Sequence, residues 1–266
     1  MQNEEPIRSR ANPVWKRIAE LLAGKDKHLI LLEGERLVAD AAAMRRMMGP
    51  ILVSTERPEL ARRYDALDYP VQFVDPRLFR ELSVLKNSPG ILALCKMPEN
   101  RRLDTLRLGP RSLLVVAHGI SDPGNLGALA RSAEAFGASA LVLTKGSTAP
   151  YSDKALRGSM GSLLRIPVSH GWTTDELLAQ LAELSCRSVC AATRKGRDPR
   201  VFDWRGPLAL WLGAETGALP EAARRFEKLT IPIASEVESL NVTVAASLLL
   251  YESMRARLAE TEEPRG

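Results

Sequence analysis

The sequence predicts an α/β fold in two domains, the second built on a parallel sheet. Three observations carry this. Short apolar runs at 113–117, 140–143, 164–168, 188–192, 208–212 and 229–233 mostly lead into helix-patterned stretches, and such alternation packs a parallel sheet between helical layers. A smaller alternation of the same kind fills 28–95. Between the two, 97–110 is charged and ends in Gly109-Pro110, the composition of a connection rather than of a core. The boundaries that follow are an N-terminal domain over 1–97, a linker over 98–110 and a C-terminal domain over 111–266.

Residues 1–12 are polar and read as a disordered arm. Asn12-Pro13 opens a helix to about 23, with Val14, Ile18, Leu21 and Leu22 on one face. A strand is expected at 28–33. A helix over 35–48 follows, carrying Leu37, Val38, Ala41, Ala42 and Met44 at helical spacing and stopping at Gly49-Pro50. Then come strand 51–54, helix 58–64, strand 71–74, helix 76–82 and strand 90–95. In the second half, the strand at 113–117 runs through Asp122-Pro123-Gly124-Asn125 into a helix that Gly137 ends, a βα unit. The strand at 208–212 runs into a glycine-bearing loop, Gly213 to Pro220. The chain closes on a small-residue helix after Ser239-Leu240-Asn241, where polar side chains suit a cap.

The chain has 266 residues, 45% of them hydrophobic, enough for a packed core. Its net charge is +5, and the basic excess gathers at Arg8 and Arg10, Lys16-Arg17, Lys25 and Lys27, Arg101-Arg102, and Lys195 and Arg197. That favours a polyanionic partner, RNA above all. Only 5% of residues are aromatic, so phosphate and shape contacts are expected ahead of base stacking. The three cysteines, Cys95, Cys186 and Cys190, suggest reduced thiols in a cytoplasmic protein. Cys186 and Cys190 have no second pair to complete a metal site, and His28, His118 and His170 stand apart, so no metal is expected. No apolar run approaches a membrane span, and the N-terminus lacks a secretory apolar region.

Three segments, in order, carry a sharper signal: Asp122-Pro123-Gly124-Asn125 with Arg131 and Gly137, then Leu212-Gly213-Ala214-Glu215-Thr216-Gly217, then Ile231-Pro232-Ile233 through Ser239-Leu240-Asn241. Together they resemble the three motifs of the SpoU (TrmH-type) RNA ribose 2′-O-methyltransferases of the SPOUT superfamily. The resemblance covers 111–266 closely. It covers 29–95 more loosely, as a SpoU substrate-binding domain similar to L7Ae-type RNA binders, with Leu32-Glu33-Gly34 at its first strand-to-helix turn. A conventional Rossmann methyltransferase would carry a glycine-rich loop after its first strand. Here 113–120 has only Gly119.

The resemblance implies a trefoil-knotted parallel-sheet domain, a homodimer with sites near the subunit interface, S-adenosylmethionine as cofactor, and a structured RNA substrate, rRNA ahead of tRNA. It implies that Arg131 contacts the RNA phosphate and takes part in removing the 2′ proton. Guanidinium keeps its proton at any working pH, so physical chemistry assigns Arg131 positioning and charge stabilisation and leaves deprotonation open. Asn125 and Arg131 are six residues apart, about 120° round an ideal helix, and converge only if Asn125 is the cap rather than part of the helix. Glu215 is expected on the RNA side of the site, and Ser239 and Asn241 as hydrogen-bonding partners of Arg131 or the ribose. The cofactor is expected against Thr193, Leu212, Gly213, Ala214, Ile231, Ile233, Ser239 and Leu240, its adenine read by main-chain groups. Arg157, Lys195 and Arg197 are further RNA contacts. The sequence departs from the family pattern at Ala218, where a second glycine is usual. That departure is the one support for a rival reading, a non-catalytic RNA-binding or ribosome-assembly protein that keeps the fold. A different nucleotide-using α/β enzyme is the other rival.

Overall fold

The computed structural model describes residues 5–65, 69–213, 220–234 and 236–262. The chain divides into two compact units, Met1–Pro98 and Glu99–Gly266.

The first unit runs α1 (Pro13–Leu22), β1 (Leu29–Glu33), α2 (Glu35–Ala43), β2 (Ile51–Ser54), α3 (Arg62–Asp65), β3 (Val71–Val74), α4 (Pro76–Leu82) and β4 (Ile91–Lys96). Its sheet has the order β1-β4-β2-β3 and is mixed: β4 is antiparallel to both neighbours, and β2 and β3 are parallel. Ile18, Leu52, Phe79 and Leu92 fill its core. Asn12 caps α1, its Oδ1 accepting from Val14 N at 2.9 Å, and Asp75 caps α4 in the same way through Arg77 N.

Two expectations fail in this unit. The described part of the expected arm is ordered. Ile7 is buried, its N–H donates to Phe73 O at 2.8 Å, its carbonyl accepts from Asp75 N at 2.9 Å, and Arg10 pairs with Glu81. One apolar residue in a polar stretch suffices to extend the open edge beside β3. The helix expected over 35–48 stops at Ala43 because Arg45 adopts a left-handed backbone, φ 53°. Met47 then bridges Cys95.

The second unit runs β5 (Leu113–His118), α5 (Pro123–Ala135), β6 (Ala140–Thr144), α6 (Asp153–Gly158), α7 (Ser162–Arg165), β7 (Val168–Trp172), α8 (Thr174–Glu183), β8 (Arg187–Ala191), β9 (Leu208–Gly213), β10 (Glu227–Leu229) and α9 (Val242–Glu262). All neighbouring strands are parallel, in the order β10-β8-β9-β5-β6-β7. The central strands are buried along nearly their whole length, as continuous apolar runs require. Trp211, Leu114, Val142 and Leu177 form the core on one side. The segment expected as a linker contributes to it as well: Leu103 is fully buried there, with Leu106 and Leu108 packed beside it. Three leucines at short intervals within a charged stretch were the signal.

The strand expected over 164–168 is displaced. Ser162–Arg165 is a helical turn, and the strand is Val168–Trp172. Pro167 forces Ile166 into extended backbone, so helix ends and strand begins across it. The last strand, expected over 229–233, is Glu227–Leu229. Pro232 has no N–H to give a ladder, and the chain leaves the sheet before it.

Candidate active site

In an open parallel sheet, ligands lie beyond the carboxyl ends of the strands. Here the ends of β8, β9 and β10 meet the start of α9 around a cavity of about 490 Å³, within the range of small-ligand sites. Leu212 and Gly213 come to it from β9, and Thr193 from the turn after β8. Ile231 and Ile233 come from the segment after β10, and Ser239 and Leu240 from the approach to α9. Ala245 and Leu249 of α9 complete the apolar wall. Ala214 and Glu215 lie outside the described residues, as does Ala218.

Part of the main chain at the cavity is unpaired among the described residues. Ile231 and Ile233 lie beyond the ladder, and neither spends its N–H or C=O on another described residue. Thr193 is held in a tight loop. The Thr230 hydroxyl accepts from Gly196 N at 2.9 Å and donates to Ala192 O at 3.0 Å, while Arg197 N donates to Lys228 O at 2.7 Å. A side chain at 196 would meet Thr230 Oγ1 at 2.6 Å and the Lys228 main chain at 2.8 Å, so only glycine lets the loop approach the 228–230 segment. Lys195, at the loop tip, is left-handed with φ 60°.

Beside the cavity, α5 and α9 are stitched together. Asn241 caps α9, its Oδ1 accepting from Thr243 N at 2.9 Å, and its Nδ2 donates to Asn125 Oδ1 at 3.3 Å. The Thr243 hydroxyl donates to Asn125 O at 3.4 Å, and Ser132 and Ser247 share a hydrogen bond of 2.7 Å. The cap of α5 is Asp122, not Asn125. Asp122 Oδ1 accepts from Asn125 N at 2.8 Å, with Pro123 setting the first turn. Lys154 at 2.8 Å and that N–H hold the Asp122 carboxyl below its usual range. Asn125 is therefore inside the helix, and Arg131 sits about 120° and 9 Å further along it. The fold brings Asn125 and Asn241 together and leaves Arg131 exposed on another face, with no acidic partner among the described residues. Glu134, its nearest candidate partner in sequence, is taken by Arg165 at 2.6 Å.

Arg157 is ion-paired to Asp153 within α6. That helix packs closely on the first turns of α5 through Gly127, whose added Cβ would meet Ala155 O at 2.5 Å. Arg197 pairs with Glu227 at 3.2 Å, and Lys195 is exposed. None of Arg131, Arg157, Lys195 and Arg197 lines the cavity.

Sequence reasoning missed Arg194, Lys228 and Thr230. Arg194 stands in the same loop as Lys195 and could have been named with it. Nothing in the pattern marks Lys228. Cys190 also lines the cavity, and burial pushes its thiol up. Burial likewise pushes His118 down, and its Nδ1 shares a hydrogen bond of 3.1 Å with the Thr144 hydroxyl. No cluster able to hold a metal occurs among the described residues.

A helix pair carrying two asparagines and a free arginine, set beside a small-ligand cavity at strand ends, agrees with what the chain resembles. Residues 112–251 match the model of the SpoU rRNA Methylase family. The chain is 31% identical to the 23S rRNA (guanosine(2553)-2′-O)-methyltransferase RlmP of Bacillus subtilis, over 94% of this chain and 98% of that one. It is 32% identical to the 23S rRNA (guanosine-2′-O-)-methyltransferase RlmB of Vibrio parahaemolyticus, over 65% of this chain and 72% of that one. The solved SpoU methyltransferase AviRb of Streptomyces viridochromogenes, in complex with AdoMet, superposes with a TM-score of 0.79 at 26% identity, covering 93% of this chain and all of that one. The chain belongs to the SpoU rRNA methylase family.

Proposed function

We propose that the chain methylates a ribose 2′ hydroxyl in rRNA, with S-adenosylmethionine as methyl donor. The observation that carries the reading is the cavity at the ends of β8, β9 and β10, lined by Ser239, Leu240 and Val242 on either side of the Asn241 that joins α9 to α5. The cofactor supplies an electrophilic methyl group. The chain's residues do the rest. The uncommitted main chain at Ile231 and Ile233 reads the polar edge of adenine, and Leu212, Leu240 and Leu249 exclude water from it. Asn125 and Asn241 hold the ribose side. Arg131 holds the phosphate and offsets charge on the attacking oxygen, which positioning and electrostatics make its most effective part. Lys195, Arg197 and Arg157 extend the basic surface along the RNA; a part for Glu215, which lies outside the described residues, rests on the family resemblance alone. The N-terminal unit, with its L7Ae-like reading, recognises the structured RNA around the target.

The reading includes a homodimer. Val244, Leu248, Tyr251 and Leu258 lie on one stripe of α9 at heptad spacing and are 48%, 44%, 46% and 56% exposed, a seam suited to a second copy. With six residues and 120° between them in one chain, Asn125 and Arg131 serve one site most readily if a second subunit supplies one of them. The reading also includes the trefoil knot, which rests on the family resemblance. It places the protein in the cytoplasm, where three unpaired buried cysteines stay reduced.

The test is transfer of labelled methyl from S-adenosylmethionine to total RNA of a strain lacking the protein, followed by mapping of ribose methylation. One new 2′-O-methyl position in rRNA is expected, and Arg131→Ala should lose at least about 100-fold in rate with cofactor binding intact. RNA binding without transfer, across native RNA and ribosomal particles, would instead favour the non-catalytic RNA binder.

A further inference from the structure

Two cations border the cavity and have no assigned part. Arg194 and Lys228 both line it, and neither side chain has a hydrogen-bond or ion-pair partner among the described residues. No acidic residue lines the cavity among those described. The nearby carboxylate, Glu227, is already held by Arg197 at 3.2 Å and Arg187 at 3.8 Å, so it does not neutralise them. The arrangement is also rigid. Thr230 pins the loop that carries Arg194, and Lys228 stands on β10, paired in register with Cys190 of β8.

This charge pattern is informative because the proposed cofactor is itself mostly cationic. S-adenosylmethionine carries a sulfonium, an ammonium and one carboxylate. A wall with two free cations repels the first two and attracts the third, so it fixes which way round the ligand lies. We propose that Arg194 and Lys228 bind the carboxylate of the cofactor's amino-acid end. The sulfonium then lies away from the β8–β10 wall, toward Ser239, Leu240 and the α5–α9 junction, where the methyl acceptor is expected. Lys195 and Arg197, which do not line the cavity, remain available to RNA. The inference rests on the cavity being the cofactor site.

The experiment compares S-adenosylmethionine with its decarboxylated analogue, which keeps the sulfonium and the amine, by titration calorimetry on the full-length protein. Both cations are exposed, so the Arg194→Ala, Lys228→Ala double variant should fold, and Arg194→Lys with Lys228→Arg serves as a charge-preserving control. Wild type should bind S-adenosylmethionine at least about tenfold more tightly than the analogue. The double-alanine variant should lose that preference by weakening only for S-adenosylmethionine, and the control should keep it. Equal weakening for both ligands would make the pair a structural wall and overturn the proposal. Unchanged affinity for both, with weaker RNA binding, would assign the cations to phosphate and overturn it equally. A wild type that binds neither ligand would defeat the cofactor reading itself.

Discussion

Thr230→Val tests whether one hydroxyl holds the cofactor side of the site together. The substitution keeps the β-branch and removes a group that accepts from Gly196 N at 2.9 Å and donates to Ala192 O at 3.0 Å. Each main-chain group left unsatisfied costs about 1–3 kcal/mol when fully buried. Thr230, Gly196 and Ala192 are half-buried, so water recovers part of this, and the net loss should be about 2 kcal/mol. For a unit of this size that lowers the melting midpoint by roughly 4–8 °C. Tryptophan fluorescence resolves it, because Trp172, Trp204 and Trp211 report on the second unit and Trp15 on the first. Loosening the loop also frees Thr193 and Arg194, so affinity for S-adenosylmethionine should fall several-fold. Thr230→Ser keeps the hydroxyl and should stay near wild type in both measurements. A valine variant that melts and binds like wild type would show that the loop holds without the hydroxyl, and the account of its rigidity would be wrong.

Three further outcomes follow from the same geometry. Gly127→Ala gains about 1 kcal/mol of helix propensity, but its Cβ would lie 2.5 Å from Ala155 O and 2.7 Å from Ser159 N. These are backbone atoms that cannot swing aside, so overpacking should win and denaturant melts should show a net loss of about 1–2 kcal/mol; a stabilised variant would contradict the close α5–α6 packing. Replacing Lys195 and Arg197 by alanine should weaken RNA binding and reduce the slope of log affinity against log salt by about 1–2, less than two full charges because Glu227 already shares Arg197; an unchanged slope removes this loop from the RNA surface. Burial pushes the thiols of Cys95 and Cys186 up to about 11 and about 12, so both stay protonated at pH 8 and should resist alkylation until the protein is denatured. Rapid labelling of the native protein at either residue would refute their burial.

Much of the fold was legible because local signals and long-range packing agree. The runs at 113–117 and 208–212 are strands because they are apolar throughout and lie in the middle of the sheet. The helix at 76–82 has Asp75 and Pro76 to start it. Legibility failed where a contact distant in sequence decides the outcome. Ile7 is ordered only because the edge beside β3 is open to it, and Arg45 ends α2 because the chain must turn to reach Cys95. Periodicity could not tell the apolar turn at 162–165 from a strand, since both bury leucines in short runs. Asn125 was misplaced by one turn's logic. It looked like a cap, but Asp122 with Pro123 caps more effectively, and Asn125 became free to bond Asn241 across the helix pair.

The misread end of the last strand bears most directly on function. Ile231 and Ile233 continue the apolar run that begins at Leu229, and by pattern alone they extend β10. A strand there would commit their N–H and C=O groups to the ladder with β8 and leave only side chains to face a ligand. The strand stops at Leu229 because Thr230 turns its hydroxyl to the 192–196 loop and Pro232 has no proton to donate. Two hydrophobic residues thereby keep their main chain unpaired at the wall of a cavity, an arrangement costly in a core unless something else satisfies it. Local rules tend to be broken where a site needs them broken. An adenine edge, with donors and acceptors in one plane, is the kind of partner that repays the lost ladder. The discrepancy between pattern and fold at 230–233 thus points to the same place as the motif order.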